Sequence, residues 1–322
     1  MATVATVSPG VLLDPNAKTI PSLPQEQLPI PSSLPDIAIL QPDVRAPFAA
    51  IAKLFDHLRT NPDLAASLNR VYPTRGLYKT AATSNPLSDQ KLTIDLSPNR
   101  ISHIPADLQS SLMSHGFGEV INFFSTVITK HLDSILDALS ATIDVDLGTI
   151  HQSRNINFRL CDYTPHTASP TNENGCGAHR DYGTFSIIFQ DGNSGLEIED
   201  PVKPDAWNPV PSDAVVVLCG WCAHILSGGE LRAVRHRVRR QLGIRRLSAV
   251  LFVAPDLEVA LKPMTAGKPV VEFSEKILNG EINVKWFKEV MGKRWRWREG
   301  NEELKDGDEI SQDEDIEKLI LG

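Results

Sequence analysis

In the first half of the chain, hydrophobic residues recur at spacings of three and four. Phe48, Ile51 and Phe55 share one face of a segment that starts at residue 46, which predicts an amphipathic helix. Residues 119–139 carry a longer stripe of the same kind and predict a second, longer helix. A stripe of that length must lie against a large apolar surface, and a sheet is the natural candidate.

After residue 150 the hydrophobic period changes from helical spacing to two, which is typical of β-strands. Gly, Pro, Asn or Asp separates most of the segments. The predicted strands are 157–161, 185–189, 195–198, 214–218, 233–240 and 246–253. Many short strands without helices between them favour an antiparallel sandwich or barrel over a parallel sheet. Helical spacing returns from residue 275, so we expect a mainly β fold with flanking helices.

The two ends of the chain differ from its middle in composition. Residues 1–43 are rich in Pro, Ser and Thr and predict a surface arm with one short strand at 37–40. Residues 302–317 form an acidic, mobile tail in this interpretation. We therefore expect an N-terminal arm and helical region at 1–150, a catalytic core at 151–256, and a C-terminal helical segment with the tail at 257–322.

Charge and composition exclude several classes of function. The 322 residues carry a formal net charge of −8, which disfavours nucleic acid and anionic membranes as partners. We see no secretory signal and no apolar run long enough to span a bilayer. Four cysteines are too few for a disulfide scaffold in a chain of this size. We expect a cytoplasmic protein that acts on a small molecule, and we assign no oligomeric state.

A candidate metal site begins with His179 and Asp181. In an extended chain, positions i and i+2 point to the same side, so these two side chains can reach one atom together. An imidazole nitrogen and a carboxylate oxygen suit a borderline divalent metal such as iron(II). A histidine and an aspartate at this spacing also occur as an ordinary surface pair, so the motif needs a third ligand.

The third ligand that we predict is His236. It lies between Val234 and Val238 on a predicted strand, and a lone histidine there would usually be a hydrogen-bonded core residue. If strand pairing brings it opposite His179 and Asp181, two histidines and one carboxylate form a facial triad. That arrangement leaves three coordination positions open for a co-substrate and dioxygen.

A second group of polar residues follows on the next predicted strand. We expect residues 241–244 to turn between two paired strands, so that His236 lies opposite Ser248 and Val238 lies opposite Arg246. Arg246 and Ser248 would then share a face with His236. A guanidinium and a hydroxyl beside a metal can together bind a remote carboxylate.

Several motifs occur together in a fixed order along the chain. They are His179-Arg180-Asp181-Tyr182-Gly183, Phe189-Gln190-Asp191, Gly195-Leu196-Glu197-Ile198, Ser227-Gly228-Gly229, Val234-Arg235-His236-Arg237-Val238 and Arg246-Leu247-Ser248. With this order and spacing, residues 75–255 resemble the isopenicillin N synthase-like branch of the iron(II)/2-oxoglutarate-dependent dioxygenases. The resemblance implies a double-stranded β-helix, or jelly-roll, core with flanking helices.

The resemblance also implies a cofactor set of iron(II), 2-oxoglutarate as co-substrate, and O2. The residues that it assigns to iron are His179, Asp181 and His236. The residues that it assigns to 2-oxoglutarate are Arg246 and Ser248, on the distal carboxylate, and Tyr163. Three positions depart from the family pattern: Cys161 stands where asparagine is common, Gly220-Trp221 where Gly-Asp is common, and Arg180 where threonine is common.

The substrate-binding residues are less well marked by the sequence. The candidates for lining the substrate pocket are Arg159, Arg180, Phe185, Trp221 and His224. Arg159 and Arg180 could equally form surface salt bridges. The chain resembles fungal members that modify secondary metabolites. The expected reaction is at a C–H bond of a small molecule such as an aromatic polyketide, with hydroxylation, desaturation, ring closure or ring expansion as outcomes.

Two other functions remain open at this point. In one, the protein binds iron but not 2-oxoglutarate, and Arg246 and Ser248 grip the carboxylate of the substrate. In the other, it is a jelly-roll binding protein without catalysis, which the three intact metal ligands disfavour. Cys219 and Cys222 form a CxxC motif without a second such pair, so we interpret them as core residues and not as a zinc or redox site.

Overall fold

The fold is described from a computed structural model that defines residues 6–7, 37–40, 46–71, 78–79, 89–166, 168–298 and 314–322. The strands are β1 (Thr6–Val7), β2 (Ile37–Leu40), β3 (Tyr78–Lys79), β4 (Leu92–Leu96), β5 (Asn155–Tyr163), β6 (Asn174–His179), β7 (Phe185–Gln190), β8 (Leu196–Glu199), β9 (Trp207–Pro209), β10 (Val215–Cys219), β11 (His236–Arg239) and β12 (Arg246–Ala254). The helices are α1 (Phe48–Thr60), α2 (Pro62–Val71), α3 (Pro98–Ser102), α4 (Ala106–Leu112), α5 (Gly118–Val127), α6 (Asp133–Ile143), α7 (Trp221–Leu226), α8 (Glu275–Leu278), α9 (Val284–Arg298) and α10 (Glu314–Ile320).

The strands form two mainly antiparallel sheets. The larger sheet has the order β1-β2-β10-β7-β12-β5-β4-β3, and the smaller has the order β6-β11-β8-β9. Side chains from both sheets, among them Ile188, Leu196, Val216 and Val238, form one hydrophobic cluster. The predicted strands are therefore confirmed, and the architecture is the expected jelly roll with flanking helices.

A second and larger hydrophobic core lies between the other face of the large sheet and the helices. The long predicted helix is confirmed as α5 and α6, which continue into each other through a π-helical turn at Ile128–Leu132. Phe124 of this helix stacks on Phe158 of β5, with ring centroids 5.0 Å apart, and Phe123 meets Phe189 of β7 edge-on at 5.0 Å. The apolar stripe packs on the sheet because this contact removes its aromatic side chains from water, which is favourable.

The predicted hairpin between β11 and β12 is wrong. His236 lies opposite His179 of β6 and Ile198 of β8, whereas Ser248 lies opposite Gln190 of β7 and Cys161 of β5. The two strands belong to different sheets, so residues 240–245 cross between sheets instead of joining neighbours. β12 is longer than β11, lies inside the large sheet and is buried almost throughout. Its backbone N–H and C=O groups therefore need a partner strand on each side.

The ends of the chain are described only in part. The predicted strand at 37–40 is confirmed and pairs with β10 at an end of the large sheet. Most of the predicted N-terminal arm and residues 302–313 of the acidic tail lie outside the described residues. Residues 314–320 form helix α10, so this part of the expected mobile tail is ordered, with Ile316 and Ile320 buried. None of the helices in the described ranges is both long and apolar enough to cross a bilayer.

Candidate active site

Main-chain carbonyls orient the two predicted histidine ligands. His179 ends β6 and His236 begins β11, and the strand register places them directly opposite each other. Nδ1 of His179 lies 2.8 Å from the carbonyl oxygen of Gly177, and Nδ1 of His236 lies 3.0 Å from that of Val234. Because a carbonyl only accepts, each Nδ1 donates its proton there, and each Nε2 carries the lone pair that binds a metal.

Asp181 completes the cluster just beyond the end of β6. Its Oδ1 lies 3.5 Å from Nε2 of His179, and its Oδ2 lies 3.9 Å from Nε2 of His236. One ligand atom from each of the three residues lies within 4.8 Å of the other two, and all three residues are buried. The hydroxyl of Ser186 donates a hydrogen bond of 2.5 Å to Oδ2 of Asp181. Ser186 lies on a predicted strand, but no sequence pattern marked it as a site residue.

The electrostatics of the cluster favour a bound cation. Burial by itself raises the pKa of Asp181, but His236, His179 and Ser186 together outweigh burial and hold that pKa below its ordinary value. Two imidazole nitrogens and one carboxylate oxygen are the donor set of the facial triad, which suits iron(II) and leaves coordination positions for other ligands. The residues present therefore fit a mononuclear iron centre.

The backbone of residues 220–222, at the Gly220-Trp221 departure, supports the metal-binding loop. The backbone N–H of Trp221 donates to the carbonyl of Asp181 at 2.9 Å, and that of Cys222 donates to the carbonyl of Tyr182 at 3.0 Å. A Cβ on Gly220 would lie 2.5 Å from the carbonyl oxygen of Gly183, so only glycine fits there without a shift of the loop. All four cysteines are buried thiols, and burial raises the pKa of Cys222, as expected for a core residue.

A buried ion pair supports His179 from the other side. Oδ2 of Asp89 lies 3.1 Å from Nζ of Lys91, and Oδ1 of Asp89 accepts a hydrogen bond of 2.9 Å from the backbone N–H of Gly177. Nζ of Lys91 also donates to Sγ of Cys176 at 3.1 Å. Burial alone would lower the pKa of Lys91, but Asp89 and Cys176 outweigh it, so the pKa lies well above its ordinary value. The ammonium is therefore charged, and Gly177, which orients His179, is tied to this pair.

Replacing Asp89 with asparagine is expected to destabilise the protein. The variant would leave the buried Lys91 ammonium without its counter-charge, so we expect the free energy of unfolding to fall by about 3 kcal/mol in urea titrations. A double variant, Asp89→Asn with Lys91→Met, removes both charges and should recover most of that loss. Equal stability of wild type and Asp89→Asn would show that the pair is not important for folding.

The residues that the resemblance assigns to 2-oxoglutarate come together on the large sheet. Arg246 lies opposite Tyr163 in the strand register, with its guanidinium carbon 5.2 Å from the centre of the phenol ring. Its Nη2 donates to Oε1 of Gln190 at 2.9 Å, and its Nε donates to the carbonyl of Asn193 at 3.2 Å. Its third nitrogen, Nη1, is buried and has no hydrogen-bond partner among the described residues.

That unpartnered nitrogen is the observation that fits 2-oxoglutarate. A buried donor without an acceptor is costly, and a carboxylate bound against Arg246 would satisfy it. Ser248 lies two residues further along β12, on the same face, and is also buried. Burial raises the pKa of Tyr163, so its hydroxyl is protonated and can donate. Arg246 and Ser248 therefore fit the distal carboxylate of 2-oxoglutarate, and Tyr163 fits a further contact with the co-substrate.

The Cys161 departure lies directly opposite Ser248 in the register of β5 and β12. Its thiol is hydrogen-bonded to Ser248, its partner across the strand pair. Burial raises the pKa of Cys161, and the neighbouring Cys176 thiol adds to the effect. Sγ of Cys176 in turn lies 3.9 Å from Nδ1 of His179. Both thiols belong to the hydrophobic cluster between the two sheets.

The structure divides the five predicted substrate residues among three places. Arg159 and Asp181 both line a cavity of about 580 Å³. A second cavity of about 530 Å³ is lined by Arg180, Trp221 and His224 and by none of the three metal ligands. Arg180 points to that side because it alternates with His179 and Asp181. For Arg180, Trp221 and His224, the structure therefore contradicts the expectation that they line the pocket in front of the metal.

Arg180 and Phe185 have clear structural contacts instead. Nη1 of Arg180 forms an ion pair with Oε1 of Glu317 at 2.6 Å, and its Nε donates to the carbonyl of Ala233 at 3.1 Å. It thereby ties helix α10 and the segment before His236 to the metal-binding loop. Phe185 is fully buried in the large core. It lies on the opposite face of β7 from Ser186, so it cannot contact a substrate at the metal and the expectation for it is also corrected.

Trp295 of helix α9 is a site residue that the sequence analysis did not identify. Its indole meets the ring of His179 edge-on, with centroids 4.5 Å apart, and lines the cavity that exposes Asp181. The guanidinium of Arg159 lies 5.8 Å from its centre and the ammonium of Lys91 lies 5.3 Å away. Nothing in the sequence pattern around residue 295 indicates this contact, because it joins segments far apart in the chain.

Comparison with known families agrees with the geometry. Residues 151–255 match the family model described as the 2OG-Fe(II) oxygenase superfamily. This segment therefore resembles a 2OG-Fe(II) oxygenase domain. It contains β5 to β12, and therefore all three candidate iron ligands and the Arg246 group. The resemblance inferred from the sequence motifs is thus confirmed.

Two fungal proteins resemble part of this chain in sequence. One is the 2-oxoglutarate-dependent dioxygenase tropC of Talaromyces stipitatus, which is 34% identical over 148 residues, 45% of this chain and 45% of that protein. The other is the proline hydroxylase buaE of Petromyces alliaceus, which is 32% identical over 98 residues, 28% of this chain and 31% of that protein. The chain thus matches less than half the length of either relative.

Solved structures confirm the fold over a larger part of the chain. The dioxygenase for auxin oxidation of rice has a TM-score of 0.60 at 17% identity and covers 92% of this chain and 96% of its own. A full-length Neurospora crassa protein, solved in complex with alpha-KG, has a TM-score of 0.59 at 18% identity, covering 80% of this chain and 86% of its own. The chain therefore shares the overall fold of these proteins.

Proposed function

We propose that the protein is an iron(II)- and 2-oxoglutarate-dependent oxygenase that acts on a C–H bond of a small organic molecule. The convergence of His179, Asp181 and His236 on one point carries the proposal. The reaction would consume the substrate R–H, 2-oxoglutarate and O2 and yield R–OH, succinate and CO2. Bound iron(II) with its co-substrate supplies the activation of O2.

The protein's own part in this reaction is binding and orientation. The two carbonyl contacts at Nδ1 fix both imidazole rings, and Ser186 fixes the Asp181 carboxylate. Arg246 and Ser248 would hold the distal carboxylate of 2-oxoglutarate, and Tyr163 would contact the co-substrate. Since the metal ligands and these three residues are all buried, bulk water screens their electrostatic contacts only weakly.

The substrate is proposed to be a small secondary metabolite, with an aromatic polyketide as the working class. The cavity beside Asp181, at about 580 Å³, has the size of a site for a small organic molecule. The similarity to tropC, a 2-oxoglutarate-dependent dioxygenase, and to buaE, a proline hydroxylase, supports oxidation of a small organic molecule. Hydroxylation is the default outcome, and desaturation, ring closure or ring expansion would need a different fate of the same substrate radical. The Asp181 carboxylate disfavours halogenation, because chloride would need its coordination place.

An anaerobic titration of the iron(II) protein with 2-oxoglutarate tests the proposal. We expect a visible charge-transfer band on binding, and O2-dependent formation of succinate with a gain of one oxygen atom in an accepted metabolite. Iron binding without the band would favour the alternative in which Arg246 and Ser248 grip the substrate carboxylate. The band without any succinate formation, even uncoupled, would favour a non-catalytic binding protein.

A further inference from the structure

Arg180 lies between two candidate iron ligands, His179 and Asp181, and its side chain lines the second cavity instead of the metal site. Its Nη1 lies 2.6 Å from Oε1 of Glu317 in helix α10. Its Nε donates to the carbonyl of Ala233 at 3.1 Å. One side chain therefore joins the metal-binding loop to two segments that are far from it in the chain.

The contact with Ala233 reaches the backbone that orients the third iron ligand. The residue after Ala233 is Val234, whose carbonyl accepts the Nδ1 proton of His236. The backbone N–H of Val234 donates to the carbonyl of Cys219 at 3.1 Å, which fixes this segment against the end of β10. A shift of Ala233 would turn the neighbouring Val234 carbonyl, and with it the imidazole that this carbonyl orients. Arg180 therefore links the support of His236 to the loop that carries the other two ligands.

The guanidinium of Arg180 is also held against an aromatic ring. Its central carbon lies 5.4 Å from the centre of the Trp221 ring, which is buried. The backbone N–H of Trp221 is the group that donates to the carbonyl of Asp181. A planar guanidinium suits a place over an indole ring better than a lysine ammonium does. The Arg180 side chain thus packs on a residue that itself supports the metal-binding loop.

Helix α10 is attached to the core at several points, so Glu317 is a fixed partner. Ile316 and Ile320 of this helix are buried in the large hydrophobic core. The backbone N–H of Ser274 donates to the carbonyl of Ile320 at 2.9 Å, and its hydroxyl donates to that of Leu319 at 2.7 Å. The side chain of Glu317 is 37% exposed, and a partly exposed ion pair contributes little to stability by itself. The effect of this pair is therefore expected on the geometry of the loop.

We propose that Arg180 is a positioning residue for the iron site and that helix α10 acts on the site through it. This inference rests on the proposed iron-dependent function. Threonine, the common family residue at position 180, is too short to reach both Ala233 and Glu317. The matched family segment ends at residue 255, so in this chain a helix outside that segment holds the metal ligands in place.

Anaerobic titration with cobalt(II), a spectroscopic stand-in for iron(II), measures metal binding without any turnover. Loss of a partner that orients metal ligands typically weakens metal affinity by about ten- to a hundredfold. We expect Arg180→Thr to weaken cobalt(II) binding by about tenfold and to shift the visible absorption bands of the bound ion. Arg180→Lys keeps a charge opposite Glu317 but cannot make both contacts at once, so its affinity should lie between those of Arg180→Thr and the wild type.

A double-mutant cycle tests whether helix α10 acts through Arg180. Glu317→Ala removes the partner of the guanidinium at a partly exposed position, and we expect it to weaken cobalt(II) binding by about three- to tenfold. Added to Arg180→Thr, it should cause no further loss of affinity, because the contact is already broken there. Losses that add, or an unchanged affinity in Glu317→Ala, would overturn the role of α10.

Arg245→Met is the control for the loss of an ion pair elsewhere. Arg245 forms a pair of similar length with Asp162, at 2.7 Å. This variant should keep the cobalt(II) affinity and absorption bands of the wild type, although it loses stability. Unchanged binding in Arg180→Thr, or an equal loss in Arg245→Met, would overturn the positioning role while the wild type still bound the metal. A wild-type protein that bound neither cobalt(II) nor iron(II) would instead overturn the proposed function.

Discussion

Replacing His236 with alanine is expected to abolish both iron retention and turnover. The variant removes one of three ligands and leaves His179 and Asp181 as an incomplete site. Because the metal supplies the activation of O2, loss of the metal removes the reaction itself and not merely part of its rate. Iron per protein, measured after desalting, and succinate formation under O2 should both fall to the background level.

His224→Ala is the matched control for that variant. His224 is buried to a similar degree as His236. Its Nδ1 also faces a main-chain carbonyl, that of Leu231, at 2.8 Å. It lines the second cavity, away from the metal ligands. We expect this variant to lose stability but to keep its iron. Stoichiometric iron and normal turnover in His236→Ala would show that the third ligand has been assigned wrongly.

The alternation of side chains along an extended chain explains which parts of the site could be predicted. A period of two places His179 and Asp181 on one side of the chain, and the structure has them there. The same rule sends Arg180 to the other side and separates Phe185 from Ser186, so these two substrate assignments could have been avoided. β6 was missed because Asn174–His179 contains two glycines and no β-branched residue, so it lacks the usual strand signal.

Which strands pair with each other could not be predicted from the same patterns. A hairpin between β11 and β12 is the default for two strands joined by a short polar segment, because nearby strands usually pair. The chain instead crosses between sheets, and the partners of His236 come from β6 and β8. The contacts of Trp295 with His179 and Arg159 depend likewise on how a distant helix packs. Such contacts follow from the whole core and not from any local segment.

Replacing Arg246 with methionine is expected to raise the KM for 2-oxoglutarate by about a hundredfold or more, since the variant removes one partner of a buried charge pair. Iron binding should be retained, because the guanidinium donates its hydrogen bonds to Gln190 and Asn193 and not to a metal ligand. Arg246→Lys keeps the charge but loses the planar two-pronged contact, so an intermediate KM is expected. Initial rates of succinate formation at varied 2-oxoglutarate provide the measurement.

The neighbouring arginine offers a control for general damage to β12. Arg245 points the other way and forms ion pairs with Asp162 at 2.7 Å and Asp56 at 2.9 Å. Arg245→Met should lower stability, because Asp162 would stay buried without its partner, and yet leave the KM for 2-oxoglutarate unchanged. If Arg246→Met also left that KM unchanged but weakened binding of the organic substrate, the guanidinium would bind the substrate carboxylate. The enzyme would then belong with the iron oxidases that need no 2-oxoglutarate.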